Sequence, residues 1–137
     1  MSMTKHLRRW KLSRLSLATC IRVTDVGGVA ISAIGTLKKL ILLGPKVTDT
    51  TIVALAKNCL KLEKLDLSYN EFVTGVGVRA FMGHKRLRVL DLQYILNPVS
   101  ESDLEDLASA CPSLKSILVE RGRQVVASCV KCEKALL

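Results

Sequence analysis

One motif, Leu-x-x-Leu-x-Leu, returns at a near-constant interval and limits what this chain can fold into more than any other feature. It occurs as Leu12/Leu15/Leu17, Leu37/Leu40/Leu42, Leu62/Leu65/Leu67 and Leu87/Leu90/Leu92, and Leu114/Ile117/Val119 follows with the same geometry. The starts are 25, 25, 25 and then 27 residues apart. Periods of roughly 20 to 50 residues mark stacked units, each too small to bury its apolar face alone. Within a unit, the Leu-x-Leu alternation places two side chains on one face of a short strand. A polar step follows: Thr24-Asp25, Thr48-Asp49, Thr74-Gly75 and Ser100-Glu101. Ser or Thr there can accept from the free N–H groups of a helix start, and a nearby acid suits its positive end. Spaced apolar residues such as Ile52, Leu55 and Ala56, or Leu104, Leu107 and Ala108, then predict a helix. Cys59 and Cys111 each lie three residues before the next strand leucine, where a small side chain fills the return from helix to strand.

Composition agrees with this pattern. Leucine fills 23 of 137 positions while aromatics make up 4%, so the core is aliphatic. With five aromatic residues and none expected to form a row, base stacking on nucleic acid is disfavoured. An apolar share of 49% excludes a disordered chain. No apolar run approaches the roughly 18 to 20 residues that span a bilayer. The length suits one domain.

The formal charge of +9 is unevenly placed. Residues 1–24 hold Lys5, Arg8, Arg9, Lys11, Arg14 and Arg22, and the first carboxylate is Asp25. Residues 101–137 are nearly balanced. An acid-free basic start has the composition of a mitochondrial transit peptide, of a solvated arm, or of a contact for an anionic partner.

The pieces Leu37-Lys-Lys-Leu-Ile-Leu42, Val47-Thr-Asp49, Leu55-Ala-Lys-Asn-Cys59 and Leu62-Glu-Lys-Leu-Asp-Leu67 resemble the cysteine-containing leucine-rich repeats of F-box proteins. The resemblance implies an α/β fold, a short right-handed solenoid with a parallel sheet on its concave side and helices on its convex side. It covers residues 12–120 as five repeats, between a basic N-terminal arm (1–11) and a C-terminal cap or tail (121–137). The Cys or Asn that the family carries after the strand stands at Cys20 and Asn70, whereas Pro45 and Ile95 replace it in other units. The fourth unit carries its two-residue insertion at Leu96-Asn97-Pro98. The eleven residues before Leu12 are too few for an F-box, so the expectation is either the repeat part of a longer product or an end closed by another subunit.

Cys20, Cys59 and Cys111 fall on repeat positions as packed thiols. Only Cys129-Val-Lys-Cys132 has ligand-like spacing, half of what a structural zinc needs, and His6 and His84 do not complete it. The same stretch reads as one side of a terminal helix formed by Val126, Cys129, Val130 and Leu136/Leu137. No metal or cofactor is expected. An odd cysteine count without a secretory signal points to a reducing, intracellular compartment, cytoplasmic or nuclear, with mitochondria as the alternative. No catalytic constellation stands out. Gly27-Gly28 and Gly75/Gly77 are assigned to repeat turns, and Asp25 and Asp49 recur in register with helix starts, so the chain reads as a non-enzyme.

In such a fold, residues between the motif leucines form rows across the strands, about 4.8 Å apart. One row reads Arg14, Lys39, Lys64, Val89 and Ser116. The second reads Ser16, Ile41, Asp66, Asp91 and Leu118, and the third Ala18, Leu43, Ser68, Gln93 and Glu120. These rows run from basic to acidic, with Asp66 and Asp91 placed to neutralise the stacked cations in part. Apolar Ile41, Leu43 and Leu118 at open positions favour a partner contact. The candidate binding residues are therefore Arg14, Ser16, Lys39, Ile41, Leu43, Lys64, Asp66, Ser68, Asp91, Gln93, Leu118 and Glu120, with Lys5, Arg8, Arg9 and Lys11 as a basic arm. Two functions stay open. The first is a protein-interaction module like the substrate-binding repeats of an F-box-type ubiquitin-ligase receptor. The alternative is a small basic subunit of a large complex, mitochondrial and ribonucleoprotein in one version, that meets RNA backbone or an acidic protein through its N-terminus.

Overall fold

The computed structural model describes Arg9, residues 11–18, 22–43, 46–96 and 99–119, and the backbone of 123–126. Strands and helices alternate: β1 (Arg14–Ser16), α1 (Asp25–Ile31), β2 (Lys39–Ile41), α2 (Asp49–Asn58), β3 (Lys64–Asp66), α3 (Gly75–Arg79), β4 (Val89–Leu92), α4 (Glu101–Ala110), β5 (Ser116–Val119) and β6 (Arg123–Val126). The strands form one sheet in chain order. β1 to β5 are parallel, and each pairing advances by one unit, so that Leu15, Leu40, Leu65, Leu90 and Ile117 stand side by side.

The motif leucines make the core. Leu37, Leu40, Leu42, Leu62, Leu65, Leu67, Leu87, Leu90 and Leu92 are essentially solvent-free and pack with Ile52, Leu55, Val78 and Leu107 of the helices. In the first unit Leu12, Leu15 and Leu17 are only partly buried, because β1 has a neighbour on one side alone.

Helix starts follow the expected chemistry with one exception. Thr48, Thr74 and Ser100 accept from the backbone N–H of Thr50, Val76 and Asp103. Thr24 makes no such bond. The Thr48 and Thr74 hydroxyls donate to Asp25 and Asp49 of the preceding unit, which orients them, whereas among the described residues Thr24 has no such carboxylate. Gly27, Gly28, Gly75 and Gly77 lie within α1 and α3 rather than in turns, correcting the sequence assignment. Three are closely approached: a Cβ on Gly28 would collide with Thr51, one on Gly75 with Asp103, and one on Gly77 with Asp49.

The return from helix to strand holds a second series, Ile34, Cys59, His84 and Cys111, each three residues before a motif leucine. Cys59 Sγ donates to the carbonyls of Ser32 and Ile34, and Cys111 Sγ to that of His84. Burial pushes the Cys59 thiol up to about 11. His84 Nε2 lies 3.0 Å from the Cys59 carbonyl oxygen, while Nδ1 accepts from the N–H of Arg86 and Leu87. That pattern requires the proton on Nε2. Asn70 is buried and donates to the carbonyls of Leu42 and Leu67, tying its own unit to the previous one. Ile95, at the corresponding place, is half-buried against the core, and Cys20 and Pro45 lie outside the described residues.

Of the helix expected from Val126 onward only Val126 is described, and it ends a strand that the sequence reading did not anticipate. Residues Arg123–Val126 run antiparallel to β5, with Ser116 opposite Val126 and Val119 opposite Arg123. Val125 and Val126 are β-branched, and an exposed strand edge offers their backbone a ladder. Cys129, Val130, Cys132, Leu136 and Leu137 lie outside the described residues. Among those described, no helix is long and apolar enough to cross a membrane.

Candidate functional site

Strand alternation turns the leucines toward the helices and leaves the residues between them on the other face of the sheet. The register builds the expected rows: Arg14, Lys39, Lys64, Val89 and Ser116 lie side by side, as do Ser16, Ile41, Asp66, Asp91 and Leu118. Arg14, Ser16 and Lys64 are exposed, and Lys39, Ile41, Leu43, Asp66, Asp91, Gln93 and Leu118 are half-buried. Arg9 and Lys11 of the basic arm are exposed, whereas Lys5, Arg8 and Glu120 lie outside the described residues.

Two expectations about this face need correction. Ser68 is buried, at 6% exposure, and so does not present its side chain to a partner. Its hydroxyl donates to Asp66 Oδ1 at 2.6 Å, and its N–H donates to the same oxygen at 2.9 Å. Asp91 is used in the same way: its Oδ1 accepts from the Gln93 N–H at 3.0 Å and from Gln93 Nε2 at 3.2 Å. These carboxylates therefore stabilise their own turns and do not ion-pair with the cations beside them. Among the described residues, the ion pairs are those of Arg79 with Asp103 and Asp106, on the helices. Among the described residues, Arg14, Lys39 and Lys64 stand stacked without carboxylate partners. Like charges on adjacent strands repel, so the row favours whatever brings negative charge to it.

The aromatic reading also changes. Tyr69 and Tyr94 sit one repeat apart, just past β3 and β4, and their rings stack with centroids 4.8 Å apart and planes 11° from parallel. Both are about half exposed, and both hold left-handed backbone, at φ 61° and 58°. Their shared position, seven residues after Leu62 and Leu87, was the available signal; nothing in a tyrosine announces positive φ. The stack places a two-ring aromatic surface beside Asp66 and Asp91 at one end of the rows.

The acids at the helix starts are tied inward. Asp25 accepts from the Thr48 N–H and from the hydroxyls of Thr48 and Thr51, and Asp49 accepts from the Thr74 N–H and hydroxyl. Burial pushes the Asp25 carboxyl up, but the bonds from Thr48 and Thr51 outweigh it and hold the group below its ordinary value. Among the described residues, no three His, Cys, Asp or Glu side chains gather as a metal site. The Cys129/Cys132 pair lies outside them.

With repeat, register and face in place, comparison with known proteins agrees on the class. A family model described as a leucine-rich repeat matches residues 58–82, which hold β3 and α3. F-box/LRR-repeat protein 4 of Bos taurus is 31% identical over 109 residues, a match covering 77% of this chain and 17% of that protein. The chain thus spans about a sixth of that relative's length. Among solved structures, that of the Chaetomium Mex67:Mtr2 subunits aligns over 98% of this chain and 97% of the other, with a TM-score of 0.58 and 16% identity, a likeness of fold alone. Both sequence matches support a leucine-rich-repeat family for the chain.

Proposed function

We propose that the chain is a protein-interaction module, a short right-handed solenoid with the sheet on its concave side, which grips a partner through the open face of that sheet. The observation that carries this reading is the row of Arg14, Lys39 and Lys64, in register and without carboxylate partners, beside half-buried Ile41, Leu43 and Leu118. A monomer gains nothing from stacking three cations on adjacent strands, whereas an acidic or phosphorylated segment of a partner would relieve the repulsion. The half-buried aliphatic groups and the Tyr69–Tyr94 stack supply apolar contact area next to that charge. Likeness to an F-box/LRR-repeat protein supports a finer version, in which the face selects substrates as the repeats of a ubiquitin-ligase receptor do. Cys59 and Cys111 are buried thiols that donate to backbone carbonyls, which suits a reducing intracellular setting.

The test is affinity capture from the native cell with wild type and the Lys39→Glu/Lys64→Glu variant, which changes two side chains outside the core. Partner recovery falls at least about tenfold for the variant, the scale of losing desolvated charge contacts. Equal recovery by both proteins, with equal melting curves, overturns the reading.

A further inference from the structure

The strongest concentration of charge lies elsewhere, along the edge where helices return to strands. Lys38, Lys61, Lys85, Arg86, Arg88 and Lys115 all stand on these connections and all are exposed. Glu63 is the one acid among them. Backbone bonds set the neighbours: Glu63 N–H donates to Lys38 O, Arg88 N–H to Glu63 O and Lys115 N–H to Arg88 O, each at 2.8 Å. Among the described residues none of these cations takes part in an ion pair. The opposite edge, where strands lead into helices, carries Asp25, Asp49, Glu71, Glu101 and Asp103 against Arg22 and Lys46.

The helix dipole accounts for part of this polarity, since cations suit helix C-terminal ends and acids the N-terminal ends. It does not account for the shape. Two adjoining clefts open on the basic edge and share Lys85 and Arg86. The larger, about 570 Å³, is floored by Ala56, Leu60, Ala80 and Met82. The smaller, about 350 Å³, is lined by Glu63, Arg88, Ser113 and Lys115 besides the shared pair. Leu60 is 64% exposed and Met82 37%, so the larger cleft leaves aliphatic surface in water under a rim of cations. Both volumes fall in the range of ligand clefts, about 300–1,000 Å³.

We propose that this edge is a second docking surface, which takes an acidic peptide segment of a partner protein and seats one bulky apolar side chain of that segment between Leu60 and Met82. Charge complementarity selects the acidic strand of contacts, and the aliphatic floor selects a peptide over a nucleic acid. A phosphate backbone would satisfy the cations but leave Leu60 and Met82 uncovered, and the His84 ring that lines the larger cleft is buried and bonded to backbone at both nitrogens, so it offers no open face to a base. The surface lies on the loops, apart from the open sheet face, so the two can be occupied independently.

The experiment measures fluorescence anisotropy of the full chain with three labelled probes: a peptide of about a dozen residues rich in Glu and Asp around a central Leu-Phe pair, the same peptide with Gly-Gly there, and oligouridylate of equal charge. The anchored acidic peptide is expected to bind at low salt. It weakens at least about tenfold with Arg86→Glu/Arg88→Glu and several-fold with Leu60→Ser, and it is unaffected by Lys39→Glu/Lys64→Glu. Circular dichroism melts confirm that each variant is folded, and Lys85→Glu alone serves if the double variant is not. Equal binding of the Gly-Gly peptide or of oligouridylate overturns the proposal in favour of a plain polyanion site. Loss of binding in Lys39→Glu/Lys64→Glu but not in Arg86→Glu/Arg88→Glu overturns it by moving the peptide to the sheet face.

Discussion

Tyr69 and Tyr94 hold φ values that glycine adopts freely and tyrosine adopts at a cost of roughly 1–2 kcal/mol each. Their stacking returns about 0.5–1.5 kcal/mol, so the pair does not clearly repay its own strain within the folded chain. Two substitutions separate the terms. Tyr69→Ala keeps the positive φ and removes the stack, whereas Tyr69→Gly removes both. Thermal melts are expected to rank Tyr69→Gly above Tyr69→Ala by about 1 kcal/mol; the reverse order would show that the positive φ costs less than the extra chain entropy glycine loses on folding. Cys59 gives a second test at this scale. With its thiol pushed up to about 11, the folded protein binds that proton more tightly than the unfolded chain, whose ordinary value is 9.0. Stability is therefore intact below 9.0 and declines as pH rises from there through about 11. Alkylation of Cys59 at neutral pH should proceed only as fast as the chain opens. His84 occupies the same series, yet it was read from the sequence only as a candidate ligand without a partner. The 25-residue register already aligned it with Cys59, and its role follows from the carbonyl that each unit presents there.

At the level of elements, the units are joined through their helix starts as well as through the sheet. Asp25 and Asp49 each bind the N–H and hydroxyl of the Thr one unit later, so the capping residue of one helix is held by the helix before it. Asp49→Ala removes two bonds and leaves the Thr74 N–H to find water, at a cost of about 1–2 kcal/mol. Denaturant melts measure it, and a change within error would mean that water replaces the carboxylate fully. Asp25 predicts a pH effect of opposite sign to that of Cys59. Its folded value is depressed, so its contribution is present above the ordinary carboxylate value of 3.8 and is lost as pH falls through the lower folded value. Asp25→Asn should flatten that part of the acid limb. The Thr-Asp recurrence was legible in the sequence as helix capping, but the inter-unit bond was not, because it depends on Gly28 and Gly77 letting Thr51 and Asp49 approach. β6 was missed for a related reason. Arg123–Val126 carries no leucine motif, and its strand depends on the open edge of β5.

For the molecule as a whole, strand order, register and the leucine core could be read directly, since a 25-residue period admits one stacking of equivalent residues. Two of the open rows were likewise legible to the residue, whereas in the third Ser68 is buried and Glu120 lies outside the described residues. Their energetics were not: Asp66 and Asp91 sit beside the cations, and only the turn geometry shows that each is spent on its own loop. The polarity of the edges was overlooked as well, because Lys38, Arg88 and Lys115 occupy the one variable motif position that does not belong to the open face. The result is a chain with one edge mainly acidic, the other mainly basic, and a cationic row on the open face. The proposed function puts the partner protein on the open sheet face and not on the helices. A photo-crosslinking residue placed at Val89 or Ser116 on that face, or at exposed Val26 or Val53 on the helices, tests it in the native cell. Adducts to a common partner at Val89 and Ser116, and none at Val26 and Val53, are the expected result. Adducts confined to the helix positions would contradict it.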